Sequence, residues 1–116
     1  MTRTSTAKAK GRTGQQEIRD ALLATFPELT QDDVRSTTMG DTGEDIKLST
    51  AARKLIPASI EVKRRKSGLK TIYDWMTQAS KHGTDPPAVF FRADRSPWLV
   101  VVDLQTYLNL IRGGKK

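Results

Sequence analysis

The 116-residue sequence contains no cysteine and a single histidine, His82. Disulfides, zinc ribbons, iron–sulfur clusters and thiol catalysis are therefore excluded, and one imidazole cannot build a histidine metal site. Any metal here needs oxygen ligands. No apolar run approaches the roughly 20 residues that a bilayer-spanning helix requires, and the N-terminus lacks the apolar stretch of a secretory signal. A soluble, cytoplasmic protein without a membrane partner is expected. Aromatic residues make up only 6% and hydrophobic residues 36%, enough for one modest core, so a large multidomain enzyme is excluded. Gly40-Asp41-Thr42-Gly43 lacks the spacing and the Lys-Ser/Thr of a phosphate cradle, which argues against nucleoside triphosphate hydrolysis. The lone histidine has no nucleophile elbow near it, which removes Ser-His-Asp catalysis. Positive charge, by contrast, is abundant: 20 Lys and Arg against 13 Asp and Glu, a formal +7. Such a balance points to an anionic partner, nucleic acid first, because Lys and Arg displace counterions condensed on a phosphate backbone.

Along the chain, residues 1–14 hold Arg3, Lys8, Lys10 and Arg12 without one acidic residue, and read as a flexible basic arm that settles on phosphates. From Gln15 the spacing of Ile18, Ala21, Leu22 and Phe26 predicts a helix closed by Pro27. Residues 33–39 and 45–49 read as two short strands joined by the Gly40–Gly43 turn, making a hairpin. Residues 50–56 hold at most a helical turn before Pro57. Ala58–Lys63 alternates cleanly and predicts a strand with Ile60 and Val62 on one face and Glu61 and Lys63 on the other. Leu69, Ile72, Tyr73, Met76 and Ala79 predict a second long helix ending at His82-Gly83. The apolar runs 88–91 and 98–102 read as a buried hairpin in which Phe90, Phe91 and Trp98 belong to the core. Asp103 is positioned to cap a last helix with Leu104, Tyr107, Leu108 and Ile111 inward, and residues 113–116 form a frayed tail. The expected architecture is α/β (α+β), one mixed sheet of about five strands flanked by helices, in a single domain over residues 15–112.

Glu61, Val62 and Lys63 are the most informative residues, because the two-residue period of a strand aims a carboxylate and an ammonium from one face into one volume. Asp45 opens the preceding strand, far enough upstream for the chain to turn and return beside it. A hard divalent cation prefers carboxylate and carbonyl oxygens and keeps several waters, so Asp45, Glu61 and the Val62 carbonyl suffice as a protein shell for Mg²⁺, with Mn²⁺ able to substitute. Such a cation polarises a phosphodiester and acidifies a bound water, while Lys63 positions that water and offsets developing charge. The chemistry expected is phosphodiester hydrolysis. Glu17, flanking the apolar face of the first helix, is a third acidic candidate.

These residues resemble the PD-(D/E)XK endonuclease superfamily, and within it the small Holliday junction resolvases of archaea and phages. The resemblance covers roughly residues 10–92. It rests on Lys10-Gly11-Arg12 leading into Glu17, on Gly43-Glu44-Asp45-Ile46, on Glu61-Val62-Lys63 and on Gln78-Ala79. It implies a restriction-endonuclease-like core and a homodimeric, metal-dependent DNA endonuclease in recombination. Residues matching Glu17, Asp45 and Glu61 would bind Mg²⁺, Lys63 would assist the attacking water, and Gln78 would lie near the active site. The proline that usually precedes the first motif acid is absent, Glu44 standing in its place, so Glu44 and Asp41 remain alternatives to Asp45. A nicking or restriction-type nuclease on linear duplex, and a basic nucleic-acid-binding accessory protein without hydrolysis, are the other readings.

The remaining candidates have plainer explanations beside them. Glu61 and Lys63 also suit a solvated strand face with an ion pair. The run Arg64, Arg65, Lys66, followed by Lys70, reads as phosphate contacts carrying no sequence information. Tyr73 and Met76 are expected in the core, whereas Trp75 lies off that stripe and suits either a dimer contact or stacking on an unpaired base. His82 is expected as a helix-end charge partner rather than a base.

Overall fold

The computed structural model describes residues 3–37 and 44–113, and of residues 3–12 the backbone only. The turn expected over Gly40–Gly43, the alternative ligand Asp41, the tail residues 114–116 and the side chains of Lys8, Lys10 and Arg12 lie outside that description. The chain divides into two compact units, the first ending at Arg64 and the second beginning at Arg65.

In the first unit, helix α1 runs over Arg3–Thr25. It therefore takes in the segment expected as an irregular arm, where Ala7, Lys8, Ala9 and Lys10 are good helix formers. Its inner face buries Leu22, which continues into Phe26 at the helix end; these are 2% and 1% exposed. They pack with strand β1 (Val34–Ser36), whose Val34 is fully buried. Strand β2 (Ile46–Leu48) pairs antiparallel with β1, setting Val34 against Leu48 and Ser36 against Ile46. The expected alternation is present: Ile46 and Leu48 are buried and Lys47 is exposed. Ser49 then joins three segments. Its amide donates to the Asp33 carbonyl, its hydroxyl donates to Asp33 Oδ1 at 2.7 Å, and its Oγ accepts the Ala52 amide as the N-cap of helix α2 (Thr50–Leu55). Helix α2 stops before Pro57, as the conformational restriction on the residue preceding proline requires, and leaves Ala52 and Ile56 buried.

Downstream, the structure departs from the sequence reading. Ala58–Lys63 is not a full strand: a single antiparallel bridge joins Ile60 to Ile46, and beyond it the chain makes no ladder. Instead of one mixed sheet of about five strands, the α+β fold holds two separate two-stranded antiparallel sheets among the described residues.

The second unit begins with helix α3 (Lys70–Ser80) and continues with strands β3 (Val89–Phe91) and β4 (Leu99–Val101), paired so that Phe90 faces Val100. Helix α4 (Leu104–Arg112) is capped as expected, the Asp103 carboxylate accepting the Thr106 amide at 2.8 Å, and it buries Leu108. Trp75 of α3 meets Phe91 of β3 with ring centroids 5.4 Å apart. The core assignments made for this unit need correction. No residue of α3 is buried, Tyr73 is 70% exposed, and Phe90 and Trp98 are 69% and 62% exposed. A two-stranded ribbon has two faces, and the Trp75–Phe91 contact places α3 on only one of them. Among the described residues no helix is long and apolar enough to cross a membrane.

Phe26 is the largest fully buried side chain of the first unit, and its truncation removes buried apolar contacts and opens a cavity. Phe26→Ala is expected to lower unfolding free energy by about 3 kcal/mol or more, measured by urea denaturation followed through circular dichroism.

Candidate functional site

The candidate site lies where β2 begins and the chain after α2 returns beside it. The Asp45 amide donates to the Ile60 carbonyl at 2.9 Å, and the Asp45 carbonyl accepts both the amide and the hydroxyl of Thr37. With its backbone so fixed, Asp45 turns its carboxylate onto the next residues of the returning segment, and Oδ2 accepts the Val62 amide at 2.6 Å. That amide nitrogen is bonded to the carbonyl carbon of Glu61, so the Asp45 carboxylate lies one peptide unit from the Glu61 backbone. This bond also explains the missing ladder: a side-chain oxygen serves Val62 where a sheet would supply a main-chain carbonyl.

Glu61 and Lys63 lie on either side of Val62 and share a face, Oε2 and Nζ being 3.3 Å apart. Both side chains are more than 60% exposed, so the pair contributes little to stability, about 1 kcal/mol at most. Val62 itself is half-buried and packs towards Gly14 of α1. A Cβ built on Gly14 would lie 3.0 Å from Arg64 Cδ and 3.4 Å from Val62 Cγ1, so the absence of a side chain there lets the helix backbone come this close. Glu17 is one turn further along α1, exposed, with no hydrogen bond or ion pair among the described residues.

Glu44, the alternative ligand, is engaged elsewhere. Its carboxylate is bound by the Arg53 guanidinium. That hydrogen bond, set against desolvation and helped by lesser contributions from the Ser59 hydroxyl, the Arg53 charge and the Ile60 amide, holds the Glu44 carboxyl below the usual range. Consecutive acids thus engage different elements, Glu44 the Arg53 guanidinium of α2 and Asp45 the Val62 amide of the returning segment. Asp33 is lowered as well, chiefly by the Thr30 amide and then by the Ser49 hydroxyl.

Of the other candidates, Arg64 lays its stem across Gly14, while Arg65 and Lys66 are exposed with no ion pair among the described residues. Lys70 is tied to Asp74 at 2.7 Å. Gln78 is exposed on α3 and His82 lies just beyond it, both in the second unit. Among the described residues no three His, Asp or Glu side chains cluster closely enough to hold an ion. The hard oxygens near this segment are the Asp45 carboxylate, which meets the Val62 amide, the Glu61 carboxylate, which pairs with Lys63, and the Val62 backbone carbonyl, which accepts no hydrogen bond among the described residues. One or two carboxylates, a carbonyl and retained waters is the set Mg²⁺ favours. Gly14 and Arg53 were missed by sequence reasoning. The glycine carries no periodic signal, and the arginine finds its acid only once α2 has folded back.

No protein-family model matches the chain, and no curated protein or solved structure matches it.

Two outcomes follow from this geometry. Asp45→Ala leaves the part-buried Val62 amide without its charged acceptor and is expected to cost about 1–2 kcal/mol, whereas Asp45→Asn keeps an oxygen there and costs less, by chemical denaturation. For Glu44 and Asp33 the folded pKa lies below the unfolded one, so their stabilisation is present above the ordinary carboxylate range and lost as the pH falls through the folded values. Thermal midpoints should therefore fall on acidification below about pH 4, and Glu44→Gln should show a shallower fall than the unaltered chain.

Proposed function

We propose that the chain is a metal-dependent DNA endonuclease of the PD-(D/E)XK kind. Its proposed substrate is branched DNA such as a Holliday junction. The observation that carries this reading is the Asp45–Val62 hydrogen bond, which brings an acid 17 positions away onto the segment bearing Glu61 and Lys63. The order of these residues, with Glu17 on the preceding helix, is that of the superfamily motif. Asp45 is preferred to Glu44 as ligand because Arg53 occupies the Glu44 carboxylate.

In this reading Asp45, Glu61 and the Val62 carbonyl would hold Mg²⁺ or Mn²⁺. A cation of that kind, when bound, supplies Lewis-acid polarisation of the phosphodiester and a water of lowered pKa. Lys63, beside Glu61 on the same face, would donate to the attacking water or to a non-bridging phosphate oxygen and offset the charge that develops there. Arg64, Arg65 and Lys66 continue from the same segment and grip flanking phosphates, with Lys8, Lys10, Arg12 and Lys70 as further phosphate contacts. Glu17 extends the acidic set. Cutting two opposed strands of a four-way junction needs two such sites. Since one chain brings one, the active species is a homodimer.

The test is cleavage of a synthetic four-way junction and of a matching linear duplex in Mg²⁺, Ca²⁺ or EDTA. Cutting in Mg²⁺ alone is expected, with the branched substrate preferred. Glu61→Ala and Lys63→Ala should each lower the rate at least about a hundredfold while moving stability by no more than about 1 kcal/mol, because their mutual ion pair is exposed. Junction binding without any cutting by the unaltered protein in Mg²⁺ would instead favour the accessory-protein reading, and equal cutting of linear duplex a nicking or restriction-type nuclease.

A further inference from the structure

The ribbon of β3 and β4 in the second unit exposes a face that the candidate site does not use. Side chains alternate along a strand, so the pairing of Phe90 with Val100 places those two on one side and Val89, Phe91, Leu99 and Val101 on the other. Of the second set, Val89, Phe91 and Val101 are half-buried, with Phe91 against Trp75 of α3, and Leu99 at the strand end is 55% exposed. On the first side the ribbon continues to Arg92 and Trp98, which face each other with the guanidinium carbon 5.4 Å from the indole centroid. Phe90, Trp98 and Val100 are 69%, 62% and 55% exposed, and Arg92 is exposed beside them. Two aromatic rings and an arginine plane thus lie together on a pleated surface open to solvent.

We propose that this face, carrying Phe90, Arg92, Trp98 and Val100, binds the unpaired bases of single-stranded nucleic acid. Every base has a π-face, so aromatic side chains on an open sheet surface accept successive bases without reading sequence, and arginine adds cation–π contact and a phosphate partner. Charge selects this occupant over a second copy of the chain. From Arg65 onward the unit holds nine Lys and Arg against four Asp and Glu, five of the chain's seven net positive charges. Placing two such units together sets like charge against like, whereas a phosphate backbone complements their net charge. The turn that joins Arg92 to Trp98 holds one acid and one further cation, Asp94 and Arg95, the latter with φ 62. Duplex DNA hides its base faces in the stack, so the recognised feature is a single-stranded segment. The proposal is independent of the Asp45 and Glu61 chemistry and concerns binding alone.

The experiment measures affinity of the full chain for a fluorescent single-stranded oligodeoxythymidylate and for a blunt duplex of equal length, in EDTA so that no cleavage intervenes. Trp98→Ala and Phe90→Ala should each weaken single-strand binding roughly fivefold to a hundredfold while leaving duplex binding nearly unchanged, and Trp98→Phe should retain most of the affinity. In a Trp75→Phe background, where Trp98 is the remaining indole, single-stranded DNA should quench its emission. Circular dichroism of each variant establishes folding, and Trp98→Phe and Phe90→Ala decide the matter should Trp98→Ala not fold. Unchanged single-strand affinity in folded variants would overturn the proposal. So would equal losses for single strand and duplex, or conversion of a dimer to a monomer by sedimentation with single-strand affinity per protomer unchanged, which would assign the face to self-association.

Discussion

Val62 needs an acceptor for its amide, and Asp45 supplies one from the start of β2 through its side chain. A hydrogen bond to an ionised acceptor is worth more than one between neutral groups, and part-burial at this position makes leaving the amide unmet costly. The returning segment is therefore held beside β2 beyond its single bridge at Ile60, with Glu61 and Lys63 set on an open face. The same bond stops the first unit's sheet at two strands and puts an acid next to the Glu-x-Lys triplet. Reinforcement comes from the neighbouring Glu44, which engages Arg53 with the Ser59 hydroxyl and the Ile60 amide also acting on its carboxylate.

Much of the first unit was legible because its signals are local. The apolar spacing of Leu22 and Phe26, the Ile46–Leu48 alternation and the restriction imposed by Pro57 each act within a few residues, and each corresponds to an observed element. Asp103 as a helix cap was legible for the same reason. What failed depended on partners distant in sequence. Ala58–Lys63 has the alternation of a strand, yet whether an extended segment joins a sheet depends on what meets its amides, and a side chain does so here. Phe90 and Trp98 have the composition of a buried hairpin, but a ribbon covered on one side leaves alternate residues outside whatever their hydrophobicity. The convergence of Asp45 on the Glu61 segment was anticipated in outline. The part taken by its carboxylate as an acceptor for Val62 was not, because nothing in a one-dimensional pattern distinguishes a ligand from a backbone clasp.

Within the first unit, stability and proposed chemistry rest on different side chains. Leu22, Phe26, Val34, Ile46 and Ile56 form the buried interior, and Asp33, Ser49 and Glu44 fasten segments around it. Glu61 and Lys63 contribute almost nothing to that framework, each having mainly the other and water as neighbours. Side chains so placed can change partners at little conformational cost. Asp45 belongs to both groups, which makes it the residue whose substitution is hardest to interpret and explains why the asparagine and alanine replacements carry different information.

The junction between the two units falls inside Lys63-Arg64-Arg65-Lys66, four consecutive exposed cations. Proteases of trypsin-like specificity cut after such residues, and they attack connecting segments in preference to packed elements. The seam of this molecule is thus written in its most cleavable dipeptides. A polyanion lying along the run would mask the same peptide bonds, so the rate at which the chain is nicked there becomes a measure of occupancy.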